Sequence, residues 1–248
     1  MASLSRPPIR VRFKKDHINF GNTIVQDGLV LNLDAGNPAS YPGSGTTWTD
    51  LSFNGNNGTL VGGVGFDGGN FGSLTFDGVD DYVRILNPYK DYTNQITVEW
   101  WTKRNGNLAD GSGWGLSQEN LDTLSNTYFL MHAINNTDMI FYVRDISANT
   151  WRNLTIGTVD TTPCYLVGTI TSSAINVYKN GVLTDTGTGL SGNMSTYSTP
   201  VLHLGKDPRY GSGRFYNGSI FTASIYNRAL TASEVQQNYN ALRGRFGI

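Results

Sequence analysis

Short runs of apolar or alternating residues recur along the chain and are separated by turn-forming pairs. Ten such runs have the length of typical strands, and they cover residues 29–33, 73–76, 82–85, 96–102, 128–131, 140–143, 165–170, 175–178, 201–204 and 219–226. Asp-Gly and Asn-Gly pairs between the runs favour the tight turns of antiparallel hairpins. The pattern therefore predicts an all-β sandwich of two packed antiparallel sheets.

The clearest local signal is a hairpin turn at Asn180 and Gly181. Residues 174–179 and 182–184 alternate between apolar and polar on either side of this pair. Both central residues of such a turn adopt positive φ, which Asn and Gly accept most readily. We expect two antiparallel strands to be joined here.

One helix is predicted near the end of the chain. Thr231 and Glu234 have the spacing of a capping box, in which hydroxyl and carboxylate each accept a hydrogen bond from a free backbone amide. Apolar residues then follow on one helical face, and they are Ala232, Val235, Tyr239 and Leu242. We predict a helix over residues 231–243 that ends near Gly244 and packs against the rim of the sandwich.

Composition indicates one domain with a nearly neutral surface. A chain of 248 residues with 38% hydrophobic content can bury a full-sized core. We expect an extended basic arm over residues 1–27 and a sandwich domain over residues 28–248. A net charge of −1 argues against a nucleic-acid partner, and no apolar run approaches membrane-spanning length. Because no secretion signal is visible, we expect synthesis in a cytoplasm.

The histidines and the cysteine form no recognisable set of catalytic or metal-binding groups. Cys164 is the only cysteine, so neither a disulfide within the chain nor a paired-cysteine metal site is expected. His17, His132 and His203 lie in unrelated contexts without metal-ligand spacing. We therefore predict no cofactor and no bound metal.

The first fifteen residues have the pattern of an anchoring strand. Its cations and apolar residues are Arg6, Ile9, Arg10, Val11, Arg12, Phe13, Lys14 and Lys15. In an extended strand, alternate residues point to opposite sides, so the apolar side chains and most of the cations separate. Such a segment can add as a strand to a sheet edge of another subunit. A disordered basic tail is the alternative interpretation.

Five segments of the sequence resemble the concanavalin A-like, laminin G-like jelly-roll family. They are GLVLNLDAGN at 28–37, SYPGSGTTWTDLS at 40–52, GNNGTL at 55–60, LTFDGVDDYV at 74–83 and IYNRAL at 225–230. The variant that the chain most resembles occurs in virion structural proteins of tailed phages, especially aquatic ones. In those proteins an ending like QNYNALRGRFG, here at 237–247, recurs. The resemblance covers residues 28–248.

This resemblance implies two stacked, curved sheets that bind glycans, when they bind them at all, on the concave face or in rim loops. It also implies a phage structural protein, either a capsid decoration or a tail or fibre component, located in the virion as a homo-oligomer or in many copies. Other virion proteins would be its partners, contacted through the arm. A free carbohydrate-binding lectin is the alternative function.

Calcium-binding relatives carry an aspartate in the last strand, within a Gly-x-Ile-Asp-Glu-Val sequence. Phe221, Thr222 and Ala223 occupy the corresponding places here. Since calcium requires several oxygen ligands, usually including carboxylates, the missing aspartate argues against that site. Asp77, Asp80 and Asp81 form a local acidic cluster, which we interpret as a turn between strands.

A polysaccharide-degrading enzyme is the remote alternative, because some proteins with this fold hydrolyse glucans. Retaining glycosidases need two carboxyl groups about 5 Å apart. The glutamates of this chain are Glu99, Glu119 and Glu234, and none has a carboxylate two residues away, the spacing that puts both on one face of a strand. We therefore predict that the protein is not an enzyme.

Several tryptophans are candidates for contact with a sugar. Trp114 and Trp151 lie in polar, loop-like contexts, and Arg152 follows the second of them. Glu99 and Trp101 project to the same side of their predicted strand. An aromatic plane flanked by polar groups suits the apolar face and the hydroxyls of a sugar. We predict these five residues as the glycan site, although buried tryptophans that fill the core are the alternative.

Overall fold

The computed structural model describes residues 23–69, 71–86, 88, 95–105, 114–120, 129–134, 138–145, 148, 150–159, 161–191, 200–207 and 214–248. The residues predicted to anchor the protein, Arg6 to Lys15, lie outside this part. The described strands are β1 (Leu29–Asp34), β2 (Thr47–Trp48), β3 (Gly58–Val61), β4 (Gly65–Asp67), β5 (Ser73–Asp77), β6 (Tyr82–Leu86), β7 (Ile96–Arg104), β8 (Trp114–Asn120), β9 (Phe129–Ile134), β10 (Asp138–Asp145), β11 (Thr150–Thr158), β12 (Cys164–Ile170), β13 (Ala174–Lys179), β14 (Val182–Thr188), β15 (Pro200–Leu204) and β16 (Asn217–Tyr226). The helix α1 (Ala232–Arg243) and a 3₁₀ turn (Gly244–Phe246) follow.

These strands form two antiparallel sheets, as the sequence predicts. Sheet A has the order β14-β13-β12-β7-β16-β5-β4, and β1 also pairs with β16. Sheet B has the order β11-β10-β9-β8-β15-β6-β3-β2. No helix in the described part of the chain is long and apolar enough to cross a membrane.

The main core lies between the two sheets. Val98 and Trp100 of β7, Leu166 of β12 and Phe141 of β10 are all fully buried in it. Gly168 provides the space for the Phe141 ring, because a Cβ atom at this position would lie 2.5 Å from Cε1 of that ring. Burial of each large apolar side chain contributes about 1.5–3 kcal/mol, so this layer supplies most of the driving force for folding.

A second apolar cluster joins α1 to the other face of sheet A. Trp101 lies at its centre, and its ring centroid is 5.3 Å from Tyr165, 5.7 Å from Tyr239 and 4.4 Å from Phe246. The buried members from sheet A include Val167, Tyr178, Phe221 and Tyr226. The helix therefore covers a face of sheet A, whereas we expected it at the rim of the sandwich. It packs there because the central strands of sheet A are apolar on both sides.

The local predictions for the hairpin and the helix cap are confirmed. Asn180 and Gly181 have φ of 51° and 79°, and they join β13 to β14. The Glu234 backbone N–H donates to Thr231 Oγ1, and the Thr231 backbone N–H donates to Glu234 Oε2 at 2.8 Å. Arg228 then pairs with the same carboxylate, with Nη2 2.6 Å from Oε1.

Candidate functional site

The structure contradicts the prediction that Glu99 and Trp101 contact a glycan. The two side chains do project to the same side of β7, but that side lies beneath α1, where Glu99 is 4% exposed and Trp101 is fully buried. The opposite side of β7 faces the core between the sheets. Neither face of this strand can reach a ligand, because sheet A is covered on both sides here.

Glu99 instead forms the centre of a hydrogen-bond network between distant elements. The Tyr165 hydroxyl donates to its carboxylate, and Asn238 Nδ2 donates to both carboxylate oxygens, at 3.0 and 3.2 Å. Asn238 Oδ1 in turn accepts the Val25 backbone N–H at 2.7 Å. Burial raises the pKa of Glu99 to about 7, although these hydrogen bonds act in the opposite direction. This network connects β7, α1 and residues 23–27, the last part of the expected arm.

Arg152 forms an ion pair with a buried carboxylate of the same sheet. Its Cα partner in β10 is Val143, which faces the core, and its Nη2 lies 3.2 Å from Oδ2 of the buried Asp145. Burial alone would raise the pKa of Asp145, but hydrogen bonds from Ser191, Ala148 and Arg152 outweigh it and lower the pKa. Arg152 therefore stabilises a buried carboxylate, and it lies on the opposite side of β11 from Trp151.

Trp151 lies on the outward face of sheet B, in strand β11 and not in the loop that we expected. Its Cα partner is Arg144, whose Cζ lies 5.4 Å from the centroid of the Trp151 ring. Tyr142 meets the indole edge-on, with centroids 6.4 Å apart, and His132 lies 4.7 Å from the Tyr142 ring. These four partly exposed residues, His132, Tyr142, Arg144 and Trp151, form what we call the Trp151 cluster.

Trp114 begins β8 and is likewise in a strand, not a loop. Its Cα partner is His132 of the Trp151 cluster. The register therefore places its backbone beside that cluster, while its side chain lies outside the described part of the structure.

A second group of aromatic and cationic residues lies on the same face, on β6 and just after β15. Lys206 Nζ is 4.5 Å from the centroid of Tyr82 and 5.5 Å from that of Phe215. His203 lies 5.6 Å from Tyr82, and Arg84 is its Cα partner in β6. We call these five residues the Lys206 cluster. Sequence reasoning missed it, although Tyr82 and Arg84 alternate with core residues in a predicted strand.

A different surface lies beside the end of α1. A pocket of about 630 Å³ is lined by Tyr41, Phe66, Phe71 and Arg245, among others. Phe71 is 65% exposed and has a φ of 68°, which is rare for an aromatic residue. Arg245 Nη1 pairs with Asp34 Oδ1 at 2.7 Å, and Nη2 donates to the Phe71 carbonyl oxygen at 2.6 Å. Because the guanidinium is engaged within the protein, this pocket offers a ligand mainly aromatic contact.

The acidic residues at the end of β5 and just before β6 lie at the predicted turn. Ligand atoms of Asp77, Asp80 and Asp81 all lie within 4.8 Å of one another. The Asp77 backbone N–H donates to Asp81 Oδ2 at 3.1 Å. Burial raises the pKa of Asp81, and the nearby carboxylates of Asp77 and Asp80 add to this effect.

Comparison with solved structures identifies the same two-sheet fold in other proteins. Domain 4 of AbnA, an extracellular arabinanase from Geobacillus stearothermophilus solved with arabinotriose, has 17% identity and a TM-score of 0.63, over 85% of this chain and 98% of that one. The binding domain of botulinum neurotoxin DC, solved with SialylT, has 14% identity and a TM-score of 0.66, over 88% of this chain and 52% of that one. The binding domain of Paraclostridial Mosquitocidal Protein 1 has 17% identity and a TM-score of 0.63, over 87% of this chain and 52% of that one.

The chain thus spans about half the length of the toxin binding domains that it matches. A comparison with curated proteins finds no match. The family model described as the concanavalin A-like lectin/glucanases superfamily matches residues 76–236. This chain, a lectin-like domain of two antiparallel sheets, belongs to that superfamily.

Proposed function

We propose that this protein binds glycans through the Trp151 cluster. The observation that carries the proposal is the grouping of Trp151, Tyr142, His132 and Arg144 on the outward face of sheet B. The corresponding face of sheet A is covered by α1. In sheet B, by contrast, the outward side chains of the Trp151 cluster are partly exposed.

The chemistry of the cluster suits a sugar ring. Trp151 and Tyr142 are inclined at 77° to one another, so they form two differently oriented aromatic surfaces. One of these can stack against the apolar C–H face of a sugar, while Arg144 and His132 offer N–H donors to its hydroxyls. A few polar groups placed around aromatic planes are typical of specific small-ligand sites.

Solved proteins of the same fold support this proposal. Domain 4 of AbnA was solved in complex with arabinotriose, and cell entry of botulinum neurotoxin type C depends on interaction with two ganglioside molecules. Their sequence identity to this chain is 17% and 15%. The fold is therefore compatible with glycan binding, which we assign to the Trp151 cluster.

Substitution of Trp151 by Ala tests the site. We expect glycan affinity to fall by about 1–3 kcal/mol, or roughly fivefold to 150-fold, because a stacking aromatic is lost. Affinity is measured by calorimetry with ligands selected on a glycan array, and thermal unfolding checks that the variant is folded. Phe71→Ala is the matched control, since Phe71 is an exposed aromatic of the other pocket. Loss of binding in Phe71→Ala alone would move the site to that pocket.

We also propose that binding occurs without catalysis. Glu99 is buried beneath α1, and Glu234 is held by Arg228 and by the backbone of Thr231. Two of the three glutamates of the chain are therefore engaged in structural contacts. This proposal of a non-enzymatic protein rests on these contacts and on the sequence, in which no glutamate has a carboxylate two residues away.

The location of the protein in a phage virion remains part of the proposal. Its support is the sequence resemblance to virion structural proteins and the strand-like basic pattern of residues 1–15. In this proposal the arm attaches the domain to capsid, tail or fibre subunits, and many copies or a homo-oligomer display the glycan face. A free lectin is the competing function, and deletion of the arm distinguishes the two.

A further inference from the structure

We propose that residues 16–22 of the arm run along α1 and place Phe20 in the aromatic pocket at the end of this helix. These residues lie outside the described part of the structure. The inner segment of the arm is then part of the domain, and only residues 1–15 extend to a partner. The carrying observation is that the described chain begins at Thr23, beside α1 and close to this pocket. Glycan binding at the Trp151 cluster is independent of this contact.

Followed backward from β1, the described chain moves along α1 toward the pocket. Asp27 pairs with Arg228, which precedes the helix. The carbonyl oxygen of Thr23 accepts a hydrogen bond from Gln237 Nε2 at 3.0 Å, in the second turn of the helix. Ala241 lines the pocket and lies one turn beyond Gln237 on the same helical face. At 1.5 Å per residue, the pocket therefore begins about 6 Å further along the helix axis.

Phe20 is within reach of this pocket. Three residues of extended chain, at about 3.3 Å each, span roughly 10 Å from Thr23. The rings of Tyr41 and Phe66 form one wall of the pocket, with centroids 5.3 Å apart. Phe66 is 37% exposed and Phe71 is 65% exposed, so both retain apolar surface that a further ring can remove from water.

A second recess, of about 500 Å³, adjoins the pocket beyond the end of α1. Phe71 and Arg245 border both recesses, and Pro163, Phe246 and Lys103 are among the residues that line the second one. Lys103 forms no ion pair with another described residue. A segment that follows this groove away from the start of the described chain therefore meets first an aromatic pocket and then an apolar recess with a cation.

The sequence of residues 16–20 has the matching order. Phe20, Ile18 and Asp16 are separated by single polar residues, so in an extended chain all three project to one side. Phe20 suits the aromatic pocket, and Ile18 and Asp16 suit the apolar recess and its lysine. A shift of one residue turns the polar side chains into the groove instead. Residues 9–15 fit less well, because they contain four cations and no acid and would bring like charge to the lysine.

Substitution of Phe20 by Ala in the full chain tests this contact. We expect the thermal unfolding midpoint to fall by roughly 5 °C, because the ring no longer covers the pocket. Phe13→Ala is the matched control, since Phe13 is a phenylalanine of the outer arm and should leave the midpoint unchanged. In a Phe66→Ala background, Phe20→Ala should shift the midpoint by less than half as much, because the effects of residues in contact are not additive.

Equal shifts of the midpoint in both backgrounds, or no shift with Phe20→Ala, would overturn the docking of the arm. A shift that depends on protein concentration, with a dimer in sedimentation velocity, would assign the groove to the arm of a second copy and overturn it as well. Loss of glycan binding in Phe71→Ala would show that a ligand enters the pocket and would exclude the arm from it. Failure of the glycan proposal is read separately, from Trp151→Ala.

Discussion

Burial beneath α1 changes the acid–base chemistry of Glu99. The pKa of this carboxyl group rises from 4.5 to about 7 on folding. The folded state therefore holds a proton that the unfolded chain has released between these pH values. The contribution to stability is fully present below about pH 4.5 and is lost as the pH rises through 7. At 1.36 kcal/mol per pKa unit, the loss is on the order of 3 kcal/mol.

Replacement of Glu99 by Gln should remove this pH dependence. The amide retains hydrogen-bonding capacity but cannot ionise, so the variant should gain stability relative to wild type between pH 5 and pH 8. Urea unfolding at both pH values measures the difference. Comparison of the two proteins cancels the contribution of His203, whose lowered pKa acts in the opposite direction.

Glu234→Gln is the control for this experiment. The hydrogen bond with Arg228 lowers the pKa of Glu234 to about 2, so its stabilising effect is lost only as the pH falls below about 4. The stability of this variant relative to wild type should be nearly constant between pH 5 and pH 8. An unchanged pH dependence in Glu99→Gln would contradict the assignment of the proton to Glu99.

At the scale of elements, α1 depends on contacts in its first turn and on one face. A helix of 12 residues is only marginally stable alone in water. Its first turn is fixed by the capping box of Thr231 and Glu234, and its apolar face packs on Trp101 and Tyr226. The helix in turn excludes water from Glu99. The cap therefore affects a buried network that lies one to two turns away.

Substitution of Thr231 by Ala should destabilise the protein by about 1 kcal/mol, because the side-chain acceptor of the helix cap is lost. Thr231→Ser keeps the hydroxyl and should behave like wild type. Urea unfolding at pH 6 measures both variants. Equal loss in the Ser and Ala variants would show that the methyl group of Thr231, and not the hydrogen bond of the cap, stabilises the helix.

At the scale of the whole molecule, the outward faces of the two sheets differ. The outward face of sheet A holds α1 and the segment at Val25, whose carbonyl oxygen accepts the Tyr226 hydroxyl at 3.1 Å. The outward face of sheet B carries the Trp151 and Lys206 clusters. The described chain thus begins on the side opposite to the proposed glycan face. An anchor attached there leaves that face directed away from the partner.

Deletion of residues 1–15 should abolish incorporation into particles and leave the domain folded. The described contacts of Val25 and the core between the sheets are unaffected, so the thermal unfolding midpoint should match that of the full chain. Protein composition of purified particles measures incorporation. Retention of the shortened protein in particles would contradict the anchor, and unchanged glycan binding by this variant would then favour a free lectin.

Local patterns in the sequence were sufficient for much of the fold. The turn at Asn180 and Gly181 and the capping box at Thr231 depend on residues close in sequence, so their prediction needed no knowledge of the tertiary structure. Trp151 could be identified as a candidate for the same reason, from a polar neighbourhood. The surroundings of Glu99 and Arg152 could not be predicted in this way. Glu99 is covered by α1 and Arg152 pairs with Asp145, and local sequence shows neither contact.

By itself, the sequence determined most of the strands, the hairpin, the capped helix and the family, since periodicity, turn chemistry and motif spacing are local properties. Only the tertiary structure decided which side of each strand is covered and which is exposed to a ligand. Trp101 has one neighbour on β12 and another on α1, more than sixty and more than one hundred residues away in sequence. A strand pattern states that two side chains share a face, but what covers that face depends on distant segments that fold onto it.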